Sequence, residues 1–229
     1  MDLPNIAENL AAVRASIESA AHAAGRQPEA IQLLAVSKRK PNEAIVAAYE
    51  AGQRHFGENY GQELIRKAGQ LADLTGIRWH HIGAVQRNKV RQLIPHIHLL
   101  HAVDRERLVR EIDKRSQTAG RKAQVLVQVN IAGEDTKSGC TPDELPSLLA
   151  TLDACEHVAV RGLMTMPPYQ KDPEQVRPYF RRLRELRDEH GGAAELPELS
   201  MGMSHDFAVA IEEGATIIRV GTAIFGARD

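Results

Sequence analysis

Residues 31–59 read IQLLAVSKRKPNEAIVAAYEAGQRHFGEN and contain the pattern that decides the fold. A short apolar run, 31–37, is followed by a stretch of helical periodicity, 41–51, which Gly52 closes, and then by a second short run, 54–59. Short apolar runs bounded by turn residues are typical of buried strands, and the longer periodic stretch between them is typical of a helix. The segment therefore predicts one strand, helix and strand unit of a parallel sheet.

The same alternation continues along the chain and predicts eight strands. Several of the runs are apolar at both alternating positions, so both faces of the sheet should be buried, which favours a closed (β/α)8 barrel of the TIM type. An open doubly wound sheet is the alternative, and the absence of a Gly-rich phosphate loop after the first strand disfavours it. The predicted strands are 31–37, 54–59, 78–83, 99–103, 124–130, 159–166, 198–204 and 216–225.

An Ala-rich helical stretch, about 6–24, precedes the first strand. Only a few residues follow the eighth predicted strand, too few for a final full helix. We therefore expect the N-terminal helix to complete the outer ring of helices. Because no repeat, low-complexity tract or Pro/Gly/Ser linker marks a boundary, residues 1–229 are predicted to form a single domain.

Composition narrows the possible partners. Lys and Arg number 29 against 30 Asp and Glu, so no strong overall field would attract nucleic acid or an anionic membrane. No run of about 20 apolar residues is present, which argues against a membrane span. Cys140 and Cys155 are the only cysteines, too few for a secreted disulfide framework. We expect a cytoplasmic protein and a monomer.

Function in a barrel of this type collects where strands end and loops to the next helix begin. Lys38 directly follows the run LLAVS and shares parity with Leu34 and Val36, which predicts that its amine lies at the mouth of the barrel. A lysine that is partly desolvated there would have the neutral amine that attacks an aldehyde. The alternative is a solvated lysine in a basic turn with Arg39 and Lys40.

The last two strands predict an anion site beside this lysine. Arg219 lies within an apolar run, where its guanidinium needs either a carboxylate or an acceptor from a bound ligand. Gly221 and Thr222 follow it with free backbone N–H groups and a hydroxyl, in a position where such barrels often hold phosphate. Ser204 ends the seventh strand and is also a candidate N-cap for the next helix. Each feature has an ordinary turn or cap as its alternative.

Seven segments together resemble the pyridoxal phosphate homeostasis protein family, which is itself similar to the barrel domain of alanine racemase. They occur in order over nearly the whole chain, which makes the resemblance more specific than any single motif. The segments are LLAVSK (33–38), FGENYGQE (56–63), WHHIG (79–83), VNIAGEDTKSG (129–139), RGLMTM (161–166), LSMGMSHDF (199–207) and IRVGTAIFGAR (218–228).

The resemblance implies a barrel of the fold-type III class that binds pyridoxal 5'-phosphate (PLP) as a Schiff base on Lys38. It further implies that Arg219 faces the pyridine nitrogen. Because arginine does not readily give up a proton, that nitrogen should remain largely unprotonated, which weakens carbanion stabilisation. The remaining implied contacts are Ser204, Gly221 and Thr222 at the phosphate, Asn59 and His80 lining the cofactor, and Met164 and Met203 packed near it.

These implications favour a PLP carrier with little turnover, which exchanges the cofactor with apo-enzymes or amino acids. Two other functions stay open, a PLP-dependent amino-acid racemase and a barrel that binds a phosphorylated metabolite without PLP. Racemisation is disfavoured because alanine racemase takes its second acid–base group from an additional domain, and this sequence has no residues left for one.

Three further patterns are weighed against chemistry and set aside. The H-x-H-x-x-H cluster of His96, His98 and His101 is not expected to bind a metal, because it flanks a strand away from the barrel mouth. The basic stretch 177–187 includes acidic residues and predicts a solvated amphipathic helix. Lys137 is interpreted as a loop lysine, with a second amine at the mouth as the alternative.

Overall fold

The computed structural model describes residues 4–134 and 138–226. Eight parallel strands form a closed barrel in sequence order, and β1 pairs with β8 to complete it. The predicted TIM barrel is therefore confirmed. The strands are β1 (Gln32–Val36), β2 (His55–Glu58), β3 (Arg78–His81), β4 (Ile97–Val103), β5 (Ala123–Gln128), β6 (Val158–Met164), β7 (Glu198–Met203) and β8 (Ile217–Val220).

Helices surround the barrel, and several are only one turn long. No helix of the described residues is both long enough and apolar enough to cross a membrane. The helices are α1 (Ile6–Ala23), α2 (Asn42–Glu50), α3 (Gly61–Gln70), α4 (Val90–Leu93), α5 (Glu106–Thr118), α6 (Leu145–Asp153), α7 (Arg177–Glu189), α8 (Gly192–Glu195), α9 (Phe207–Glu212) and α10 (Thr222–Phe225).

Helix α1 packs against α2, α9 and α10 and so occupies the place in the outer ring between the two ends of the barrel sequence. Asn5 caps it by accepting a hydrogen bond from the Glu8 backbone N–H at 3.2 Å. A second bond, from Asn9 Nδ2 to the Ile224 carbonyl at 2.9 Å, ties α1 to α10. The expected role of the N-terminal helix is confirmed, whereas the assignment of 1–229 to one domain stays a prediction.

The predicted eighth strand, 216–225, is too long. The strand ends at Val220, and residues Thr222–Phe225 form the single turn α10. Ile224 and Phe225 are buried in that turn, so the helical turn removes their apolar side chains from water as well as a strand would. The predicted fourth strand begins two residues late, because β4 starts at Ile97.

The apolar side chains form two separate clusters. The larger lies between the sheet and the surrounding helices. The smaller fills the inside of the barrel and comes from strand residues, namely Leu34, Leu99, Ala102, Leu126, Met164 and Ile217. This division is expected of a barrel of eight strands, whose interior is a packed core.

Strand pairing is irregular at several points of the barrel. Gly162 in β6 has φ +148°, and a Cβ there would lie 1.8 Å from the Glu198 carbonyl oxygen, so only glycine permits β6 and β7 to pair closely. In β4 the register against β3 shifts, with Trp79 opposite Ile97 but His80 opposite Leu99. This bulge inserts His98 as an extra residue in β4, and bulges of this kind redirect side chains.

Candidate functional site

A cavity of about 440 Å³ opens among the carboxyl ends of the strands. That is the end of a (β/α)8 barrel at which active sites are built. Of the residues predicted for the site, eight line this cavity: Lys38, Asn59, Met164, Met203, Ser204, Arg219, Gly221 and Thr222. His80 is not among the lining residues.

Lys38 reaches the cavity because the chain turns sharply after β1. Arg39 has φ +61° and is the sole non-glycine residue in the left-handed region within the described part of the chain. Its backbone N–H donates to Glu63 Oε1 at 2.7 Å, and the Lys40 backbone N–H donates to the Ser37 carbonyl at 3.0 Å. Both bonds fix the turn that holds Lys38 at the mouth.

A buried ion pair that the sequence did not single out supports this turn. Lys67 Nζ donates to Glu58 Oε1 and to the Ser37 carbonyl, each at 2.8 Å, and it also lies 2.8 Å from Glu63 Oε1. Ser37 Oγ donates to Glu58 Oε1 at 2.6 Å. Burial raises the pKa of Glu58, while Lys67 lowers it. In the sequence, this ion pair could have been suspected only from Glu58, whose carboxylate stands at the end of a predicted strand.

Arg219 is 5% exposed and is held without a carboxylate. Its Nη1 donates to Ser200 Oγ at 2.9 Å and its Nη2 donates to the Thr165 carbonyl at 2.9 Å. Burial lowers its pKa to about 10, so the guanidinium stays cationic at neutral pH. Among residues 4–134 and 138–226 no acidic side chain forms an ion pair with it. These two bonds use two of the five N–H donors, and the side chain lines the cavity.

Two hydroxyls and a glycine meet in the wall of the same cavity. Thr222 Oγ1 lies 3.3 Å from Ser204 Oγ, and Gly221 directly precedes Thr222. The prediction that Ser204 caps the following helix is wrong. Helix α9 begins at Phe207 with Asp206 at the N-cap position, and the Asp206 carboxylate accepts from the Met203 N–H at 2.6 Å. Ser204 therefore presents its hydroxyl to the cavity.

Asn59 lies in the cavity wall with its Oδ1 buried, and this oxygen has no hydrogen-bond partner among the described residues. An unsatisfied buried acceptor of this kind is uncommon and suits a site that contributes polar contacts to a ligand. The wall also contains Tyr169 and His205, whose rings lie 5.4 Å apart. Sequence patterns alone had not marked these two, because both fall in loops.

His80 lies inside the barrel and is fully buried. Its Nε2 is 2.9 Å from His55 Nδ1 and its Nδ1 is 2.9 Å from His101 Nε2. Both ring nitrogens are thus engaged with other imidazoles, and the structure does not bring His80 to the cavity with the other predicted residues.

The cluster of His96, His98 and His101 does not converge, because His96 is exposed while the other two point into the barrel. The basic stretch forms α7, with an apolar buried face and arginines paired to acidic residues such as Glu213 and Glu189, as predicted. Lys137 lies outside the described residues.

Comparison with known proteins agrees with this arrangement. Residues 2–229 match the family described as alanine racemase, N-terminal domain. The chain is 47% identical over 226 residues to the pyridoxal phosphate homeostasis protein of Aquifex aeolicus, which covers 98% of this chain and 99% of that protein. The protein of the same name from Pseudomonas aeruginosa is 45% identical over 228 residues, with 99% and 97% covered.

Solved structures give the same result. PipY of Synechococcus elongatus, determined with PLP bound, superposes with a TM-score of 0.84 at 39% identity, over 96% of this chain and 100% of that one. Alanine racemase from Corynebacterium glutamicum has a TM-score of 0.68 at 20% identity and is matched over 62% of its length, which shows a shared fold. The chain therefore belongs to the alanine racemase N-terminal domain family and, within it, to the pyridoxal phosphate homeostasis proteins.

Proposed function

We propose that this protein binds PLP in the cavity at the carboxyl ends of the strands, attached covalently through Lys38 Nζ, and serves intracellular PLP homeostasis as a carrier. The observation that carries the proposal is the joint lining of one cavity by an amine, a guanidinium whose hydrogen bonds go to a hydroxyl and a carbonyl, and two neighbouring hydroxyls. PLP offers an aldehyde, a pyridine nitrogen and a phosphate, one for each of these groups. The relatives named for PLP homeostasis and the PLP-bound PipY support it.

The residues match that cofactor in charge and in hydrogen-bonding groups. Ser204, Gly221 and Thr222 would hold the phosphate with hydroxyls and a backbone N–H, and Arg219 would donate a hydrogen bond to the pyridine nitrogen. Asn59 would add a polar contact, and Met164 and Met203 would pack near the ring. Bound PLP supplies an electron sink, which the protein tunes through the group opposite its ring nitrogen.

Arg219 makes low turnover the expected behaviour. A guanidinium that keeps its proton leaves the ring nitrogen unprotonated, so charge that develops at a substrate α-carbon is stabilised less than it would be opposite an aspartate. We propose that the cofactor is stored and exchanged with amino acids or apo-enzymes, in the cytoplasm and by a monomer.

Absorbance spectroscopy with borohydride reduction tests the attachment. We expect purified protein supplied with PLP to absorb visible light, to lose that band on reduction, and to carry the pyridoxyl mass on the peptide containing Lys38. Lys38→Ala should abolish the labelling. Lys40→Ala, the matched control from another lysine in the same wall, should retain it. Labelling that persists in Lys38→Ala, or no band at all, contradicts the proposal.

A second assay separates a carrier from a racemase. The protein should transfer PLP to an apo-enzyme at a measurable rate, while D- and L-amino acids should interconvert no faster than with free PLP. Interconversion well above that background, lost in Lys38→Ala, would favour an enzyme.

A further inference from the structure

A chain of hydrogen bonds runs through the barrel interior from Arg219 toward its opposite end. Arg219 Nη1 donates to Ser200 Oγ at 2.9 Å, and Ser200 Oγ lies 3.0 Å from His101 Nδ1. The chain continues through His80 to His55 by two contacts of 2.9 Å between ring nitrogens. The residues that follow Arg219 in this chain come from four other strands. A continuous series of polar side chains therefore crosses the barrel interior.

Arg219 has only donors, so Ser200 Oγ accepts at this end of the chain. The Ser200 hydroxyl has one proton and two lone pairs, so it can either donate to His101 Nδ1 or accept from it. The arrangement that turns acceptors toward the buried guanidinium is the one in which it donates. In that arrangement His101 carries its proton on Nε2 and donates to His80 Nδ1, and His80 donates from Nε2 to His55 Nδ1. Each imidazole is in the Nε2–H form, with its acceptor side toward the arginine, which stabilises that buried charge.

Burial disfavours the protonated form of these imidazoles. Burial lowers the pKa values of His80 and His101 well below the usual range, and it lowers that of His55 to about 4.

A third imidazole joins His55 and His80 at the end of the barrel opposite the cavity. The bulge in β4 turns His98 inward, and its ring centroid lies 5.3 Å from that of His80 and 5.8 Å from that of His55. One ligand atom from each of the three lies within 4.8 Å of the others. His55 and His98 are partly exposed, and a surface cleft of about 600 Å³ includes His55, so an ion can reach the cluster from solvent.

We propose that His55, His80 and His98 form a site for a divalent transition ion of the Zn²⁺ class, and that its occupancy reverses the hydrogen-bond chain ending at Arg219. Three imidazoles with an open fourth position are a recognised zinc ligand set. The two nitrogens now 2.9 Å apart need to separate only to about 3.3 Å for tetrahedral Zn–N bonds.

The surroundings supply the outer contacts that such sites need. A ligating histidine is usually oriented by donating its other ring N–H to an acceptor. When His80 Nε2 binds the ion, its proton lies on Nδ1 and is donated to His101 Nε2. His101 in turn donates from Nδ1 to Ser200 Oγ. Ser200 Oγ then accepts from both His101 and Arg219. Metal binding therefore changes the hydrogen bonding of the hydroxyl that contacts the guanidinium, without any net release of protons.

Two arginines limit the affinity. Burial lowers the pKa of His98, and the charges of Arg78 and Arg121 lower it further; the same positive charges oppose a dication. We therefore expect the site to bind Zn²⁺ more weakly than it would without these two charges.

Calorimetric titration with Zn²⁺ tests the site. The protein should bind one ion per chain, and His98→Gln or His55→Gln should weaken binding about tenfold or more, since even the loss of an outer contact has effects of that size. His96→Gln, which changes an exposed histidine of the same segment, should leave binding unchanged. Circular dichroism confirms that each variant is folded.

Nitrogen-15 NMR of the histidine rings provides a second readout. Without metal, His80 and His101 should be protonated on Nε2; with Zn²⁺ bound, they should be protonated on Nδ1. Absence of binding, or equal affinity in both ligand variants and the wild type, overturns the site. Binding without a tautomer change overturns the link to Arg219.

Discussion

At the scale of single residues, the buried pair of Lys67 and Glu58 positions the lysine at the cavity mouth. Lys67 Nζ holds the carbonyl of Ser37, the residue before Lys38. Both charged side chains have no solvent exposure. A buried pair carries a large desolvation cost, so removal of one partner leaves the other charge buried and unpaired, which costs more than the loss of one contact.

Lys67→Met should lower the free energy of unfolding by about 3–5 kcal/mol, because Glu58 is left buried without its cation. Urea denaturation followed by circular dichroism measures this change. Arg66→Met, on the exposed adjacent position of α3, should change stability by less than about 0.5 kcal/mol. The double variant Glu58→Gln/Lys67→Met should recover part of the loss. Equal stability of Lys67→Met and Arg66→Met would contradict this account.

Site residues at strand ends were predictable from the sequence, whereas the residues that hold them were not. Lys38, Ser204 and Arg219 stand where apolar runs end or are interrupted, which marks them directly. Lys67 occupies an ordinary position in an amphipathic helix, and only the packing of α3 against the strand ends buries it. His80 was assigned to the cavity by resemblance. In the structure both of its ring nitrogens contact other imidazoles inside the barrel, and the periodicity of a single sequence does not predict such contacts.

At the scale of elements, close strand pairing depends on a few positions without side chains. Gly162 combines a left-handed φ with a Cβ position 1.8 Å from a carbonyl oxygen of β7. The bulge in β4, by contrast, needs no glycine and acts by adding one residue. Its presence could not be predicted, since an inserted residue is visible only against the register of the neighbouring strand.

Gly162→Ala should destabilise the protein by about 3 kcal/mol or more, since backbone strain alone contributes about 1–3 kcal/mol and the new methyl group must also push β7 away. Gly69→Ala is the matched control, because a Cβ there meets nothing within 4 Å in α3. It should stabilise by up to about 1 kcal/mol. Thermal unfolding measures both. A neutral Gly162→Ala would show that β6 and β7 can separate at little cost.

At the scale of the whole molecule, α1 completes the ring of helices and connects the start of the chain to its last described turn. Alternation along the sequence predicted the barrel and this helix, because both depend on long, strongly periodic segments. The helical turn after β8 was not predicted, since a four-residue apolar run fits strand and helix equally well.

Leu10→Ala should cost about 2–5 kcal/mol, because Leu10 is 1% exposed where α1 packs on its neighbours and its truncation leaves a cavity. Glu18→Ala, at an exposed position of the same helix, should stay within about 0.5 kcal/mol of the wild type. Urea midpoints compare the two. A Leu10→Ala protein as stable as Glu18→Ala would mean that α1 is attached only loosely.

The pairing of β1 with β8 also bears on aggregation. Each of the eight described strands has a partner on both sides, so the described barrel offers no unpaired edge onto which another chain could add a strand. Self-association through β-pairing would first require one of the strand pairings to open, such as the seam between Gln32–Ala35 and Ile217–Val220. Variants that loosen this seam should therefore form fibrils or precipitates before variants of equal instability elsewhere.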